Sequence, residues 1–168
     1  DYCTSLTSVS LPAAKLIGEY AFEYCTALMS VSLPEATTIG SFAFRGCTAL
    51  TTVTLPKVEI IFTSAFQKCT SLASVVANSA TEIWPSVFSG CTGLTSVTFG
   101  AVIETIKHNS PGDSPFSDFS TENCDLTLHA AQLNHDTYPV SVSNDGKLMW
   151  AGAEWNSITI GNVPLTVV

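Results

Sequence analysis

The sequence predicts a right-handed solenoid built mainly from short parallel β-strands. Three observations lead to this fold class. Cysteine recurs every 22 residues, at positions 3, 25, 47, 69 and 91. Apolar residues recur at fixed distances from each cysteine, and proline follows the first apolar run in the first three periods. A fixed period of this length is typical of stacked repeats, because one unit cannot bury its own apolar face while a stack of units can.

The first half of each unit predicts a strand. Every one of the five cysteines is followed directly by Thr, three residues later by Leu and six residues later by Val. In the second unit, Leu28, Val31 and Leu33 face one side of such a strand while the residues between them face the other. Pro34 lacks a backbone donor and ends the strand. Equivalent strands of successive units are expected to pair in parallel.

The second half of each unit turns the chain back across the core. Ile recurs at 17, 39, 61 and 83, and Phe closes the unit at 22, 44, 66 and 88. Gly18 and Gly40 stand where a tight turn is expected. The fifth unit slips by one residue at Ile106 and then carries an insertion, 107–115. Residues 1–130 are therefore predicted to form five regular coils from Cys3 and one irregular coil.

The C-terminal segment continues with strand patterns but without the repeat. Strands are predicted at 125–129, 140–143, 147–150 and 157–160. The sequence Asn144-Asp145-Gly146 indicates a hairpin, because such turns require positive φ. Residues 131–168 are interpreted as a hairpin-containing β cap that covers the last coil with Trp150, Trp155 and Ile158. The first coil has no matching cap, so we expect its open edge to be covered by a preceding segment or by self-association.

The repeat resembles a known family. The pattern Cys-Thr-x-Leu-x-x-Val-x-Leu-Pro followed by Ile-Gly-x-x-Ala-Phe, as in Cys25 to Phe44, is similar to the BspA-type leucine-rich repeat, related to the Treponema pallidum type. The resemblance covers residues 3 to about 106 well and extends loosely to about 130. It implies a curved leucine-rich-repeat-like solenoid with a parallel sheet on its concave side. It also implies a secreted or cell-surface protein of bacteria, notably Bacteroidetes, used in adhesion, with no shared catalytic residues.

The cysteines are predicted to form a structural thiol ladder. Disulfides and a metal site are the alternatives for a chain with six cysteines. In a stack, however, equivalent thiols lie above one another with parallel Cα–Cβ vectors, and the sequence contains neither a Cys-x-x-Cys pair nor an interleaved His. Free cysteine packs as a small hydrophobe. The expected ladder consists of buried, unpaired Cys3, Cys25, Cys47, Cys69 and Cys91.

Composition removes several function classes. A net charge of -8 supplies no cationic field for nucleic acid. Apolar runs are far shorter than the roughly 20 residues of a transmembrane helix, so no membrane insertion is expected in this segment. Acidic residues at 113, 118, 122 and 125 could hold a calcium ion, but their spacing matches no known ion loop, and a solvated loop is the favoured interpretation. No nucleophile, base, metal or cofactor site is predicted, and hence no enzyme.

Two surfaces are candidates for binding. The first is the outward face of the predicted concave strands, which is rich in hydroxyls and uncharged: Ser8, Ser10, Ser30, Ser32, Thr52, Thr54, Ser74, Ser96 and Thr98. The second is an aromatic patch where the coils turn back: Tyr20, Phe42, Phe62 and Trp84. For the first surface the alternative is a sheet that is merely solubilised, and for the second it is packing between coils.

The leading functional hypothesis is a protein-binding or adhesion module that presents a solenoid surface to an extracellular or host protein. A glycan-binding accessory module is the alternative suggested by the aromatic patch together with Trp150 and Trp155. A structural spacer within a larger surface protein is a third reading. Ice binding through the hydroxyl files is a remote fourth, disfavoured by the predominance of Ser and by Val76.

Overall fold

The computed structural model describes residues 2–107, 114–117, 124–129, 132, 141–142, 148–150, 153–155, 157–160 and 163–165. No α-helix lies within these residues. The strands are β1 Ser8–Ser10, β2 Leu16–Ile17, β3 Ser30–Ser32, β4 Thr38–Ile39, β5 Thr52–Thr54, β6 Ile60–Ile61, β7 Ser74–Ala77, β8 Glu82–Ile83, β9 Ser96–Phe99, β10 Thr105–Ile106, β11 Asp125–Leu128, β12 Ser141–Val142, β13 Leu148–Trp150, β14 Ala153–Trp155, β15 Ser157–Ile160 and β16 Val163–Leu165.

Each regular coil contributes one strand to each of two parallel sheets. The front sheet contains β1 and β3 as one hydrogen-bonded pair and β5, β7, β9, β11, β15 and β16 as a second group. The back sheet has the order β10-β8-β6-β4-β2. Partners in both sheets are residues one repeat apart, for example Val53 with Val75 and Ile39 with Ile61. The predicted parallel β-solenoid is confirmed.

The slip in the fifth coil is confirmed by the pairing of the back sheet. Ile106 pairs with Ile83, which is 23 rather than 22 residues earlier. Beside the slipped segment, the buried side chain of Gln132 accepts a hydrogen bond from the backbone N–H of Ile103 at 2.8 Å and donates to its carbonyl at 3.5 Å. A side-chain amide thus takes the place of a neighbouring strand at this point of the irregular coil.

The core lies between the two sheets and is filled by the repeated apolar columns. Val and Leu of the front strands, Ile of the back strands and Phe of the turns belong to one buried cluster. Phe22, Phe44, Phe66, Phe88 and Phe116 form a stack along the solenoid, with ring centroids 5.2 to 5.9 Å apart and interplanar angles of 3° to 18°. Each coil therefore packs on its neighbours through identical contacts.

The turns use two left-handed positions per coil, and the tight turns predicted at Gly18 and Gly40 are present: their carbonyls accept hydrogen bonds from the N–H groups of Ala21 and Ala43 at 3.4 and 3.2 Å. Neither glycine has positive φ. Positive φ occurs two residues later, at positions 20, 42, 64 and 86, and again four residues beyond, where Gly46 and Gly90 stand in the same column as Tyr24 and Lys68. Gly40 is required for close approach instead, since a Cβ there would lie 2.8 Å from the carbonyl oxygen of Ile17.

The C-terminal segment extends the solenoid as well as covering it. β15 pairs in parallel with β11, and β16 then pairs with β15 in the antiparallel direction. β12, β13 and β14 form a separate antiparallel sheet, and the predicted turn at 144–146 lies outside the described residues. Trp150 and Trp155 are buried, with ring centroids 6.4 and 4.8 Å from that of Phe116. The boundary at residue 130 stays a prediction, because the chain beyond it joins the same front sheet.

Candidate binding surfaces

The hydroxyl face consists of the outward side chains of the front strands, at the nine Ser and Thr positions named above. The strands alternate: Val53 is buried at 2% exposure while Thr52 and Thr54 on either side are exposed. In-register pairing places equivalent residues next to each other, as in Ser8 beside Ser30 and Thr52 beside Ser74. The outward residues therefore form two files along the solenoid, with neighbours about one strand spacing (~4.8 Å) apart.

The two files consist mainly of Ser and Thr, and their exposure differs along the solenoid. The outward residues of β1, β3 and β5 are exposed, whereas those of β7 and β9 are half-buried. Val76 interrupts the second file between Thr54 and Thr98. The Ser96 hydroxyl donates to the Ser74 hydroxyl at 2.9 Å, so that part of the first file is already hydrogen bonded internally. Each hydroxyl can both donate and accept, which suits a polar partner of either kind.

The aromatic patch divides into two pairs on the back of the solenoid. Tyr20 and Phe42 are stacked, with centroids 5.1 Å apart and an interplanar angle of 6°. Phe62 and Trp84 lie 5.0 Å apart at 49°. Tyr20 is 46% exposed and the other three rings are partly exposed. Because Tyr20 and Phe42 each cover a face of the other, this pair offers less open ring surface for stacking a sugar than two isolated rings would.

A single arginine fixes the first of these pairs to the neighbouring turn. The guanidinium carbon of Arg45 lies 5.1 Å from the ring centroids of both Phe42 and Tyr24. Its Nη2 donates to the Tyr24 hydroxyl at 2.9 Å, and its Nε lies 3.0 Å from Glu23 Oε1 as an ion pair without hydrogen-bond alignment. Gly46 makes room for this arrangement, since a Cβ there would lie 2.4 Å from the Tyr24 ring.

Trp84 is oriented by a residue of β8, the strand that directly precedes it. Its indole Nε1 donates to Glu82 Oε1 at 2.7 Å, two residues earlier on the same outward side. The indole is thus held in place by a carboxylate while part of its surface remains open to solvent. Sequence reasoning placed Trp84 in the patch but did not identify this partner, although a spacing of two residues along a strand puts both side chains on one face.

A charged cluster that the sequence analysis missed lies beside the back sheet. Glu35 accepts hydrogen bonds from Lys15 at 2.7 Å and from Lys57. These two hydrogen bonds lower the pKa of Glu35 to about 2. Lys57 and Glu35 are one repeat apart, so the fixed period was the signal that could have revealed the pair. All three side chains are solvent accessible, so the cluster contributes little to stability.

The predicted thiol ladder lies along the core. Cys25, Cys47, Cys69, Cys91 and Cys124 are buried, and none of the six cysteines is in a disulfide. Cys3 is exposed, so the prediction that it is buried with the others was wrong. The thiol of Cys69 donates to the carbonyl of Phe44 at 3.1 Å, and the thiols of Cys47 and Cys91 make the equivalent bond to the preceding coil. Burial raises the pKa of Cys47 and Cys124 to about 12 and raises that of Cys69 well above its ordinary value.

Of the four acidic residues that could hold a calcium ion, the structure describes only the last. Residues 113, 118 and 122 of the acidic loop lie outside the described residues, while Asp125 is described and exposed. In the described part of the chain, no three His, Cys, Asp or Glu side chains are grouped so that they could hold a metal ion. The same residues contain no helix long and apolar enough to span a bilayer.

Comparison with known proteins identifies the same type of repeat that the sequence pattern resembles. Residues 1–127 match the BspA type leucine-rich repeat region in six copies. Among solved structures, a leucine-rich cell surface protein from Faecalibacterium prausnitzii A2-165 is 28% identical, with a TM-score of 0.63 over 89% of this chain. This chain spans 40% of that protein. Comparison with curated proteins gave no match.

Proposed function

Because the chain belongs to the BspA-type leucine-rich repeat family, we propose that it is a non-catalytic binding module displayed at a bacterial cell surface. The similarity to a cell surface protein supports the location. The ligand is proposed to be an extracellular or host protein, and the module's role adhesion. The observation that carries the proposal is the hydroxyl face, a polar surface to which each of the first five coils contributes at least one outward hydroxyl.

The hydroxyl face suits a protein partner for physical reasons. Its outward side chains are short and uncharged through β9, so a partner can approach the backbone of the sheet without displacing tightly hydrated charges. Ser and Thr offer donors and acceptors at every coil, which allows many weak bonds over a long contact. Rigid presentation lowers the entropy that binding would cost.

The test is binding of the purified chain to a panel of immobilised extracellular matrix and mucosal proteins. The variant Thr52→Arg with Thr54→Arg places two long cations at the centre of the hydroxyl face, where both residues are exposed. We expect it to weaken binding by about tenfold or more, because a centre of contact tolerates little steric intrusion. A matched control is Thr70→Arg with Thr92→Arg, which makes the same change at exposed turn positions.

The control should bind like the parent chain. If no protein of the panel binds, or if the two double variants bind equally well, the hydroxyl face is not the adhesive surface. Circular dichroism and thermal melts establish that both variants are folded before binding is compared.

A further inference from the structure

A second surface of different chemistry lies on the back of the solenoid. It is an apolar strip formed by the aromatic patch together with two aliphatic residues of the back sheet: Leu16, Tyr20, Phe42, Ile60, Phe62 and Trp84. Leu16 is 63% exposed and Tyr20 46%, and the others are partly exposed. Register pairing of β2, β4 and β6 places Leu16 and Ile60 in one row, with Thr38 between them. The rings follow these strands in two contacting pairs, Tyr20 with Phe42 and Phe62 with Trp84.

The fold does not require apolar residues in this strip. The column of Leu16 and Ile60 holds Thr38 in the coil between them. The column of Tyr20 and Phe42 holds serine in the next two coils, with the same positive φ. Since the same backbone accepts small polar residues at equivalent positions, stacking of the coils does not require exposed apolar side chains here. Such side chains lower the solubility of the protein.

Gly18 lies within the strip, between Leu16 and Tyr20 along the chain. It occupies the column that holds Phe62 and Trp84 in later coils. A Cβ at Gly18 would meet nothing within 4 Å, and its φ lies outside the left-handed region. The backbone at Gly18 is therefore open beside Leu16 and Tyr20, both of which are exposed.

The charge around the strip is negative. The basic residues of the first three coils are paired with carboxylates: Lys15 and Lys57 share Glu35, which leaves one net positive charge in that cluster, and Arg45 pairs with Glu23. By contrast, Glu19, Glu59 and Glu104 on the back side make no salt bridge among the described residues. Lys107, one coil beyond Trp84, marks the end of the acidic region.

We propose that the apolar strip binds a segment of a partner protein that carries apolar side chains next to Lys or Arg. Burial of Leu16, Tyr20 and Trp84 would supply most of the affinity, and the flanking carboxylates would select a cationic partner and speed its association. The surface is separate from the hydroxyl face, so it would serve a second contact of the module.

The proposal can be tested with defined peptides on the intact chain. The probe is a synthetic peptide of three Lys-Leu-Lys-Phe repeats, with Glu-Leu-Glu-Phe and Lys-Ser-Lys-Ser peptides of equal length for comparison. Trp150 and Trp155 are buried, so a change in tryptophan emission on binding reports Trp84, and Trp84→Phe should remove it. Only the first peptide is expected to bind, and its affinity should fall as salt is added.

Two matched pairs of variants separate a site from general attraction to an acidic protein. Leu16→Ser should weaken binding about fivefold or more, while Met29→Ser, which removes a similarly exposed apolar residue near the front sheet, should leave it unchanged. Glu59→Gln with Glu104→Gln should weaken binding about tenfold, while Thr70→Lys with Thr92→Lys makes the same change in net charge at exposed turn positions and should matter little.

Equal losses within either pair would overturn the proposal, as would absence of binding to the parent chain. A shift of Trp84 emission by maltohexaose but not by the basic peptide would instead identify the strip as a glycan site. Failure here leaves the adhesion test intact, because Thr52→Arg with Thr54→Arg alters only the hydroxyl face.

Discussion

The front and back sheets differ on their outward sides and agree on their inward sides. The outward residues of β1, β3 and β5 are Ser or Thr without exception. The equivalent rows of the back sheet change from coil to coil: Leu16 is followed by Thr38, Ile60 and Glu82. Stacking therefore demands repetition only inside the core, and the outward variation of the back sheet is free to encode a specific contact.

The largest expected effect contrasts an inward with an outward Phe of one coil. Phe66 is fully buried between Phe44 and Phe88, whereas Phe62 is partly exposed beside Trp84. Phe66→Ala should lower the free energy of unfolding by about 4 kcal/mol, because it leaves a cavity in the stack. Phe62→Ala should cost about 1 kcal/mol, since part of its surface is already in water and no closed cavity is left. Urea denaturation measures both, and similar losses would contradict the contrast.

A second contrast compares two glycines in one column. Gly46 and Gly90 both have positive φ, of 71° and 70°. Gly90→Ala should cost about 1 kcal/mol for the left-handed conformation alone, because its Cβ would meet only the flexible side chain of Lys68 at 3.3 Å. Gly46→Ala should cost about 3 kcal/mol, since its Cβ would also displace the Tyr24 ring. Equal shifts in thermal stability would show that the ring moves aside without penalty.

The thiols provide a contrast between the end and the interior of the ladder. Cys3 is exposed, whereas the other five cysteines are buried. Burial raises the pKa of Cys25, Cys47, Cys69 and Cys124, so these four thiols are protonated at neutral pH. An aromatic disulfide reagent should therefore titrate one thiol quickly in the native protein and the remaining five only in denaturant. Rapid reaction of two or more thiols would indicate that the core opens locally. Cys3→Ser is the control that should abolish the fast phase.

The smallest effect is expected at the exposed Glu35 cluster. The pKa of Glu35 is lowered from 4.5 to about 2 by its hydrogen bonds to Lys15 and Lys57. A lowered folded-state pKa stabilises the fold above the unfolded value, and this contribution is lost as pH falls from about 4.5 toward 2. The small difference in melting temperature between the parent chain and Glu35→Gln should therefore shrink over that range. A constant difference would show that the ion pairs do not contribute.

Much of the fold could be predicted because the core repeats. Val53, Ile61 and Phe66 recur at one period, and the period alone implies parallel stacking. A strand was predicted at 157–160, but its parallel pairing with β11 was not. Both strands have the same alternation of polar and apolar residues. Without the cysteine column, that alternation does not distinguish a further parallel rung from a hairpin strand.

The candidate surfaces could be predicted only in part. The hydroxyl face follows from strand alternation, so its outward residues were identified from sequence. The stacking of Tyr20 on Phe42 and the contacts of Arg45 depend on turn conformations with positive φ, which Tyr20 and Phe42 do not signal as glycine would. The turns that begin at Gly18 and Gly40 could be predicted, but the positive φ lies two residues later, at residues whose type does not signal it.

The constant register between coils has a consequence for how such a molecule can change in length. Because Val53 meets Val75 as Val75 meets Val97, loss or gain of one whole unit would join the chain at a junction identical to those already present. Unequal recombination between the repeated gene segments could thus lengthen or shorten the module in single steps. Each unit gained or lost would change the length of the solenoid by about one strand spacing, ~4.8 Å.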